Sequence, residues 1–566
     1  MKHTETIQLL VRDLRIPYTA DMAEAIEKAK KQLRHALGRG KTAAIREAVL
    51  YKTSIDARKK PDILCVCTIL LTAEMTAGEA AAVCARDRSI SVFTRETFAL
   101  PMGTETLAGR PVIVGFGPAG MFCALLLCEA GFAPIIVERG DDVEERAAAV
   151  RRFYETRILD EQSNIQFGAG GAGTFSDGKL VTRIGDPKCT WVLEQLAAFG
   201  APEEILTKAK PHIGTDILLR VVGNIRDVLR ARGCEFRFRT QMRGISAIEA
   251  PAGTHAYAIE TPDGAIPCGA LVLALGHSAR DTYKMLYDNG YVLQPKPFSV
   301  GVRIEHLQSA LNEAAYGDAA SGTLACGAQG KQILLPPAEY TVSHRPKPSA
   351  GDPDPRGVYS FCMCPGGEVM AAASEEGGVV VNGMSRFARD GRNANAALAV
   401  SVRTADYGDH PMRAIDYQRM LERAAFAAGG SDWSAPCQTV GDFLNDRCGT
   451  EPTAVLPSYM NGGVRMCDLH SVLPAFVTEL LAVGIRRFDR QYPGFASDHA
   501  LLTGVETRTS APIRMPRGDN FCAAGCDNIY PIGEGAGYAG GITSAAVDGV
   551  NAALQILARY KRPGTC

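Results

Sequence analysis

The stretch that most restricts how this chain folds is PVIVGFGPAGMFCALLLCEAGFAPIIVERG, residues 111–140. Val112–Val114 reads as an apolar strand that enters Gly115-x-Gly117-x-x-Gly120. An apolar helix follows, ended by Gly131, and a second apolar strand, Ile135–Val137, closes on Glu138. Each glycine has a task. Gly115 allows a tight turn, Gly117 lets a pyrophosphate approach the backbone, and Gly120 permits close helix–strand contact. Pro118 and Ala119 open the helix, whose unpaired N–H groups and partial positive charge suit an anion. Glu138, followed by Arg139, stands 18 residues after Gly120, where an acid accepts from both ribose hydroxyls and repels a 2′-phosphate. Strand, turn, helix, strand and terminal acid in one unit predict a dinucleotide site.

A second glycine stretch, QFGAGGAGTFSDGKL (166–180), repeats the spacing at Gly168, Gly170 and Gly173. Its context differs. RILDEQSNIQF upstream is polar where a buried strand is needed, and TFSDGKLVTR downstream is no apolar helix. It reads as a loop and not as a second nucleotide fold.

Two later stretches narrow the choice of dinucleotide. ALVLALGHSA (270–279) is an apolar strand opening on Gly276, and NIYPIGEGAGYAGGITSAAVDGVNAA (528–553) runs from strand to Gly533-Glu534, a glycine run and a small-residue helix. Here the chain resembles the flavoproteins related to glutathione reductase. That resemblance implies FAD, with Glu534 on the ribityl chain and Gly541-Ile542-Thr543 near the pyrimidine edge of the flavin, where a helix N-terminus stabilises reduced flavin. It also implies that the 166–180 loop lies along the flavin, bringing Gly170, Gly171, Gly173, Thr174, Ser176, Asp177 and Lys179 close. Lys179 is then either a cation that raises the flavin potential or a solvated loop lysine.

Read together with HIGTDIL, FCMCPGGEV, VNGMS and LLTGVETRTSAPIR, these stretches resemble a family of bacterial FAD-dependent dehydrogenases (NAD(P)/FAD-dependent oxidoreductases with an N-terminal ferredoxin-like domain). The resemblance runs from about residue 5 to the end. It implies an α/β fold: a Rossmann-like FAD-binding domain with an inserted mixed α+β substrate domain. The front, residues 5–97, reads independently as β-α-β-β-α-β, the ferredoxin-like order. The expected domains are 1–97 (ferredoxin-like), 98–294 (FAD-binding, first part), 295–500 (substrate or cap) and 501–566 (FAD-binding, last part). SHRPKPSAGDPDPRG, with four prolines in 15 residues, is expected as an exposed loop or lid.

Candidates for chemistry lie on the loops around the ring. His277 is either a general acid near neutral pH or a residue holding its loop; His212 has the same ambiguity. Cys362 and Cys364 are candidate thiolates, although i and i+2 on a strand share a face and packing also explains the pair. Arg280, Arg508 and Arg514 are candidate carboxylate-binding forks, with Glu375 beside them in the same role or in ion pairs. No metal site is expected. The 17 cysteines of the 566-residue chain include no C-x-x-C.

A formal net charge of −1 gives no reason to expect nucleic acid or an anionic membrane as partner. The start is polar, and no window reaches the length of a spanning helix, so a cytoplasmic protein is expected. Three functions stay open. The first is an FAD-dependent oxidoreductase passing hydride between flavin N5 and a small organic substrate, with NADH or NADPH as a transient donor. The second is an electron-transfer or docking flavoprotein that meets a protein carrier. The third is an RNA-modifying flavoenzyme.

Overall fold

The computed structural model of the protein describes residues 4–60, 62–249, 255–317, 335–349 and 353–564. The chain divides into two compact units. One comprises Met1–Phe98, Pro202–Pro211 and Asn312–Ala338, and the other comprises Ala99–Ala201, His212–Leu311 and Glu339–Cys566.

In the first unit β1 (Glu5–Pro17), α1 (Met22–Leu37), β2 (Ala44–Lys59), β3 (Asp62–Met75), α2 (Ala77–Arg86) and β4 (Ile90–Val92) follow one another. The strands form an antiparallel sheet in the order β2-β3-β1-β4. Strand β3 buries every second side chain from Ile63 to Met75, the period of a strand with one face on a core. Helix α1 lays Ala25, Ala29, Leu33 and Ala36 on that core. It starts where Ala23 N–H donates to Asp21 and ends at Gly38, φ +90°, a backbone conformation glycine adopts freely. A reciprocal Thr76–Glu79 box opens α2. Only three residues form β4, shorter than the ISVFTRE run suggests; Phe93 N–H donates to Gln8 O, and then the chain leaves the sheet edge.

The second unit starts with β5 (Pro111–Val114), α3 (Pro118–Glu129), β6 (Ile135–Val137), α4 (Val143–Thr156), α5 (Lys188–Ala198), α6 (Thr215–Ala231) and β7 (Glu235–Arg237). An antiparallel meander follows, β8 (Gly244–Ile248), β9 (Ala256–Thr261) and β10 (Gly264–Cys268), and then β11 (Ala270–Leu273), α7 (Arg280–Asp288) and β12 (Gln294–Pro295). Next come β13 (Phe298–Leu307), α8 (Gln308–Tyr316), whose residues from Asn312 on belong to the first unit, β14 (Ser343–His344), β15 (Val358–Cys364), β16 (Gly367–Ala371), β17 (Val381–Ser385) and β18 (Asn393–Val402). The chain continues with α9 (Thr404–Tyr407), α10 (Pro411–Ala428), β19 (Ala435–Thr439), α11 (Val440–Leu444), β20 (Val464–Met466), α12 (Ala475–Phe488) and β21 (Leu501–Glu506). It ends with β22 (Ile513–Arg514), β23 (Ile529–Pro531) and α13 (Ile542–Arg559).

Two sheets organise this unit. One is parallel, in the order β23-β11-β5-β6-β7. Buried residues run through α3 from Ala119 to Cys128, because it packs on both the sheet and α13. Gly549 of α13 meets the Ala119 backbone so closely that a Cβ there would overlap it. The other sheet has the order β14-β15-β18-β13-β21-β19-β20. Its central strands β13 and β18 are buried almost throughout, and the polar residues among them are partnered: Arg303 donates to Glu506, and Glu305 accepts from Asn393. The sheet extends past residue 500 into β21. In the proline-rich segment Ser343–His344 pairs with β15, Arg345 and Asp354 form an exposed ion pair, and residues 350–352 lie outside the described residues.

Candidate functional site

The carboxyl ends of β5, β11 and β23 open onto a cleft of about 350 Å³ within the second unit, the place where parallel sheets bind ligands. Gly115, Gly117, Pro118 and Ala119 line it. Gly115 has φ +103°, and a Cβ on it would overlap the Ala274 carbonyl. Gly120 sits behind the cleft, where a Cβ would overlap the Gly115 carbonyl oxygen. Gly117 is different: its Cβ would point into open space, with only Gly171 Cα near, at 3.7 Å. Helix α3 starts at Gly117 and α13 at Gly541, neither with a side-chain cap. Gly541 and Ile542 line the same cleft. Two helix ends therefore offer unpaired N–H groups and positive potential to one space.

Glu138 lies at the end of β6, 5% exposed, and lines the cleft beside Arg139. Its carboxylate accepts from Phe116 N–H at 2.9 Å and from Gly140 and Gly168 N–H at 3.0 Å. The second glycine stretch is thus tied to the first through this acid. No strand leads into it, since residues 158–171 are irregular. Arg146, fully buried on α4, clamps the loop from beneath: its guanidinium donates to the carbonyls of Asn164, Ile165, Gly168, Ala169 and Gly171. Burial pulls its pKa down to about 10. Gly171 and Gly173 line the cleft. Gly170 and Thr174 stand behind it, where Gly170 N–H donates to Phe116 O and Thr174 O accepts from the Thr215 hydroxyl. Ser176 lines the cleft and donates to Gly173 O, while Thr543 is buried and donates to Leu180 O.

On the far wall Asp177 accepts a fork from Arg389, and Lys179 stands 3.3 Å from both Asp177 and Glu339. Burial works against the lysine charge, but Asp177 and Glu339 outweigh it and hold its pKa above the usual value. A solvated loop lysine is therefore not what the fold makes of Lys179. Gly533 and Glu534 line the cleft. Burial raises the Glu534 carboxyl to about 7 against the pull of Lys296. Gly533 N–H donates to Asp548, itself paired with Arg517.

Gly276 and His277 line the cleft. Burial, then the charges of Arg508 and Arg280, lower the pKa of His277 to about 3, and its Nδ1 engages Ser278 Oγ at 3.0 Å. His212 lies outside the cleft, stacked on Phe387 and bonded to its carbonyl. The expectation of free carboxylate-binding forks at Arg280 and Arg508 needs correction. Arg508 reaches the cleft wall, yet its fork already grips Glu422 at 3.1 Å, and its remaining bonds go to Ser278 and Ser374. Arg280 is buried away from the cleft on Glu422, Glu375 and Gln418, and Arg419 takes the other side of Glu375. Arg514 is exposed on β22, with its guanidinium 5.0 Å from the centre of the Tyr538 ring. The forks of Arg280 and Arg508 are thus both engaged by Glu422. Cys362 lines the cleft and Cys364 is buried behind it.

Arg146, Arg389, the Gln166–Ser278 bond at 3.1 Å and the buried Arg303–Glu506 pair at 2.6 Å have no signal in the sequence motifs. Each joins segments far apart in the chain and leaves no periodic trace. Among the described residues no cluster of His, Cys, Asp or Glu could hold a metal, and no helix is long and apolar enough to cross a membrane.

A parallel sheet with a glycine turn, two uncapped helix ends and an acid at a strand end defines an α/β protein of the dinucleotide-binding class. Residues 297–509, essentially β13 to β21, match the profile of a family described as "FAD-dependent protein, C-terminal domain-like". An uncharacterized protein of Clostridium beijerinckii (strain ATCC 51743 / NCIMB 8052) is 44% identical over 515 residues, 91% of this chain and 93% of that one. The chain belongs to this family of FAD-dependent proteins, and its cofactor is FAD. Among solved structures, CtdE in complex with FAD aligns over 80% of this chain and 84% of its own at 11% identity and TM-score 0.31. An L-amino acid deaminase from Proteus vulgaris aligns over 37% and 63%, at 14% identity and TM-score 0.22. OTEMO in complex with FAD and NADP aligns over 30% and 26%, at 16% and 0.19. The residues present fit FAD: the space over Gly117 is open, two helix ends are uncapped, and the acids Glu138 and Glu534 line the same cleft.

Proposed function

We propose that the protein is an FAD-dependent oxidoreductase that passes a hydride between flavin N5 and a small organic substrate. The observation that carries this reading is the convergence of the open Gly117 cradle, the α3 and α13 N-termini, Glu138 and Glu534 on one cleft. In it the Gly115–Gly120 turn and the α3 end hold the pyrophosphate, and Glu138 accepts from the adenosine ribose with Arg139 alongside. Gly170, Gly171, Gly173, Thr174 and Asp177 shape the loop along the ring, Gly276 and Gly533 give the backbone close approach, and Glu534 takes the ribityl chain. The positive end of α13, at Gly541 and Ile542, stabilises negative charge on the pyrimidine side. Bound FAD supplies two-electron chemistry.

The residues facing substrate are Lys179, Cys362 and a neutral His277. His277 accepts or relays a proton rather than arriving as an imidazolium. Arg508 acts by position, held at the cleft wall by its pair with Glu422, and Arg280 supports that pair. In this reading the sheet β23-β11-β5-β6-β7 is the glutathione-reductase type of FAD fold and the front unit is ferredoxin-like. The domains are 1–97, 98–294, 295–500 and 501–566, and the protein works in the cytoplasm.

The test is anaerobic mixing of the FAD-loaded protein with NADH, NADPH and small organic substrates, followed by flavin absorbance near ~450 nm. Bleaching by free small molecules supports an oxidoreductase. A flavin that responds to a protein carrier alone would replace this reading with the electron-transfer one.

A further inference from the structure

One wall of the cleft carries a feature that cofactor binding does not use. Cys362 lies at the cleft surface and Cys364 is fully buried behind it. Residues i and i+2 of a regular strand are ~6.6 Å apart, rising ~3.3 Å per residue, near the upper limit of the ~4.4–6.8 Å that a disulfide spans. Strand β15 is not regular here. Its register against β18 slips between Phe361 and Cys364. Cys362 has φ +44°, a conformation a side chain rarely adopts. The chain folds between the two residues and turns the Cys364 side chain back toward Cys362. Cys364 Sγ donates to Cys362 O at 3.3 Å.

The surroundings suit a thiolate. Hydrogen bonding from Cys364 and the charge of Arg303 bring the Cys362 thiol below its usual pKa, while Cys364 is pushed up. The fully buried Arg303 donates to Cys362 O at 2.8 Å. A cleft-facing thiolate with a second thiol behind it is the arrangement that disulfide exchange requires. Two other cysteine pairs make the contrast. Cys65 and Cys67 have their sulfurs 3.5 Å apart, and Cys128 and Cys234 3.0 Å apart, but neither pair lines the cleft. Cys362 shares the cleft with Glu534 and Lys179, and its charge acts on the Glu534 carboxyl.

We infer that Cys362 and Cys364 form a dithiol–disulfide couple that exchanges two electrons with the FAD held in this cleft. The inference rests on the FAD oxidoreductase reading above. In the oxidising direction the Cys362 thiolate and the Cys364 thiol give two electrons and one proton to the flavin as the S–S bond forms between them. In the other direction reduced flavin returns both electrons, and the S–S bond opens to thiolate and thiol. No further reactant is needed. The Cys362 sulfur is the one that meets the cofactor, and Cys364 resolves.

Anaerobic dithionite titration of the FAD-loaded, air-oxidised protein tests this directly. The expected uptake is about four electron equivalents per FAD, two for flavin and two for the couple. In Cys362→Ser and in Cys364→Ser it falls to two with FAD content unchanged. Alkylation of the denatured, oxidised wild type followed by peptide mass spectrometry should find Cys362 joined to Cys364, and this second readout holds even if a variant fails to fold. Uptake of two equivalents by wild type, with both cysteines alkylated, overturns the couple while leaving the FAD reading intact. A protein that retains no FAD overturns the underlying reading instead.

Discussion

At the scale of single residues, the three glycines of the first turn are not equivalent, and substitution separates them. Gly120 faces the Gly115 carbonyl at contact, so Gly120→Val is expected to cost about 2 kcal/mol or more by overpacking, read by urea unfolding. Glu534 gives a pH signature. Its folded pKa of about 7 lies above the 4.5 of a free glutamate, so between those values the native FAD-free protein binds more protons than the unfolded chain. Its contribution to stability is therefore fully present below about pH 4.5 and is lost as pH rises through 7. Melting temperatures of FAD-free wild type and Glu534→Gln across that range should converge at the acid end and diverge in favour of Gln near neutrality. For His277 the sign is opposite, since a pKa lowered to about 3 loses stability only as pH falls below the free-histidine value. Once turnover is established, His277→Gln should leave the shape of its profile between about pH 5 and 8 unchanged. The glycine tasks were legible in the sequence because they are local: a turn, an approach, a contact. The arginines were not, because the partner that occupies both forks, Glu422, lies 142 residues from Arg280 and 86 before Arg508.

At the scale of elements, a single buried side chain holds the second glycine loop. Arg146→Met on α4 removes the donor shared by five loop carbonyls. The expected loss is at least about 3 kcal/mol in urea unfolding, together with weaker FAD binding, because Gly168 N–H also positions Glu138. Elements with one period were readable: α1, β3 and the apolar strands β5 and β11 lie where their patterns put them. The β15 slip at Cys362 was not, since CMC in an apolar run looks like any strand until its pairing with β18 is seen. The short β4 has the same cause, a sheet edge that ends before its propensity does.

At the scale of the whole molecule, the net charge of −1 provides no electrostatic footprint for nucleic acid. RNA retention on filters at about 150 mM salt should not exceed that of a neutral control protein. The order of the front strands was legible, but the membership of that unit was not. Thr53 exchanges backbone bonds with Thr207 and Ala209, both at 2.8 Å, and so brings Pro202–Pro211 into the unit of residues 1–98. A short segment recruited from far along the chain carries no local signal of where it will pair.

The central claim is that FAD lies over the Gly115–Gly120 turn, and Gly117 tests it most directly. Its backbone suits any residue, and a Cβ there would have only Gly171 Cα near, at 3.7 Å. Calorimetric titration of FAD into FAD-free wild type and Gly117→Val is the measurement. The account predicts one FAD per chain in wild type and at least about tenfold weaker binding in the variant, about 1.4 kcal/mol, with an unchanged melting temperature for the FAD-free forms. Equal affinity in the two proteins would contradict it and put the cofactor elsewhere.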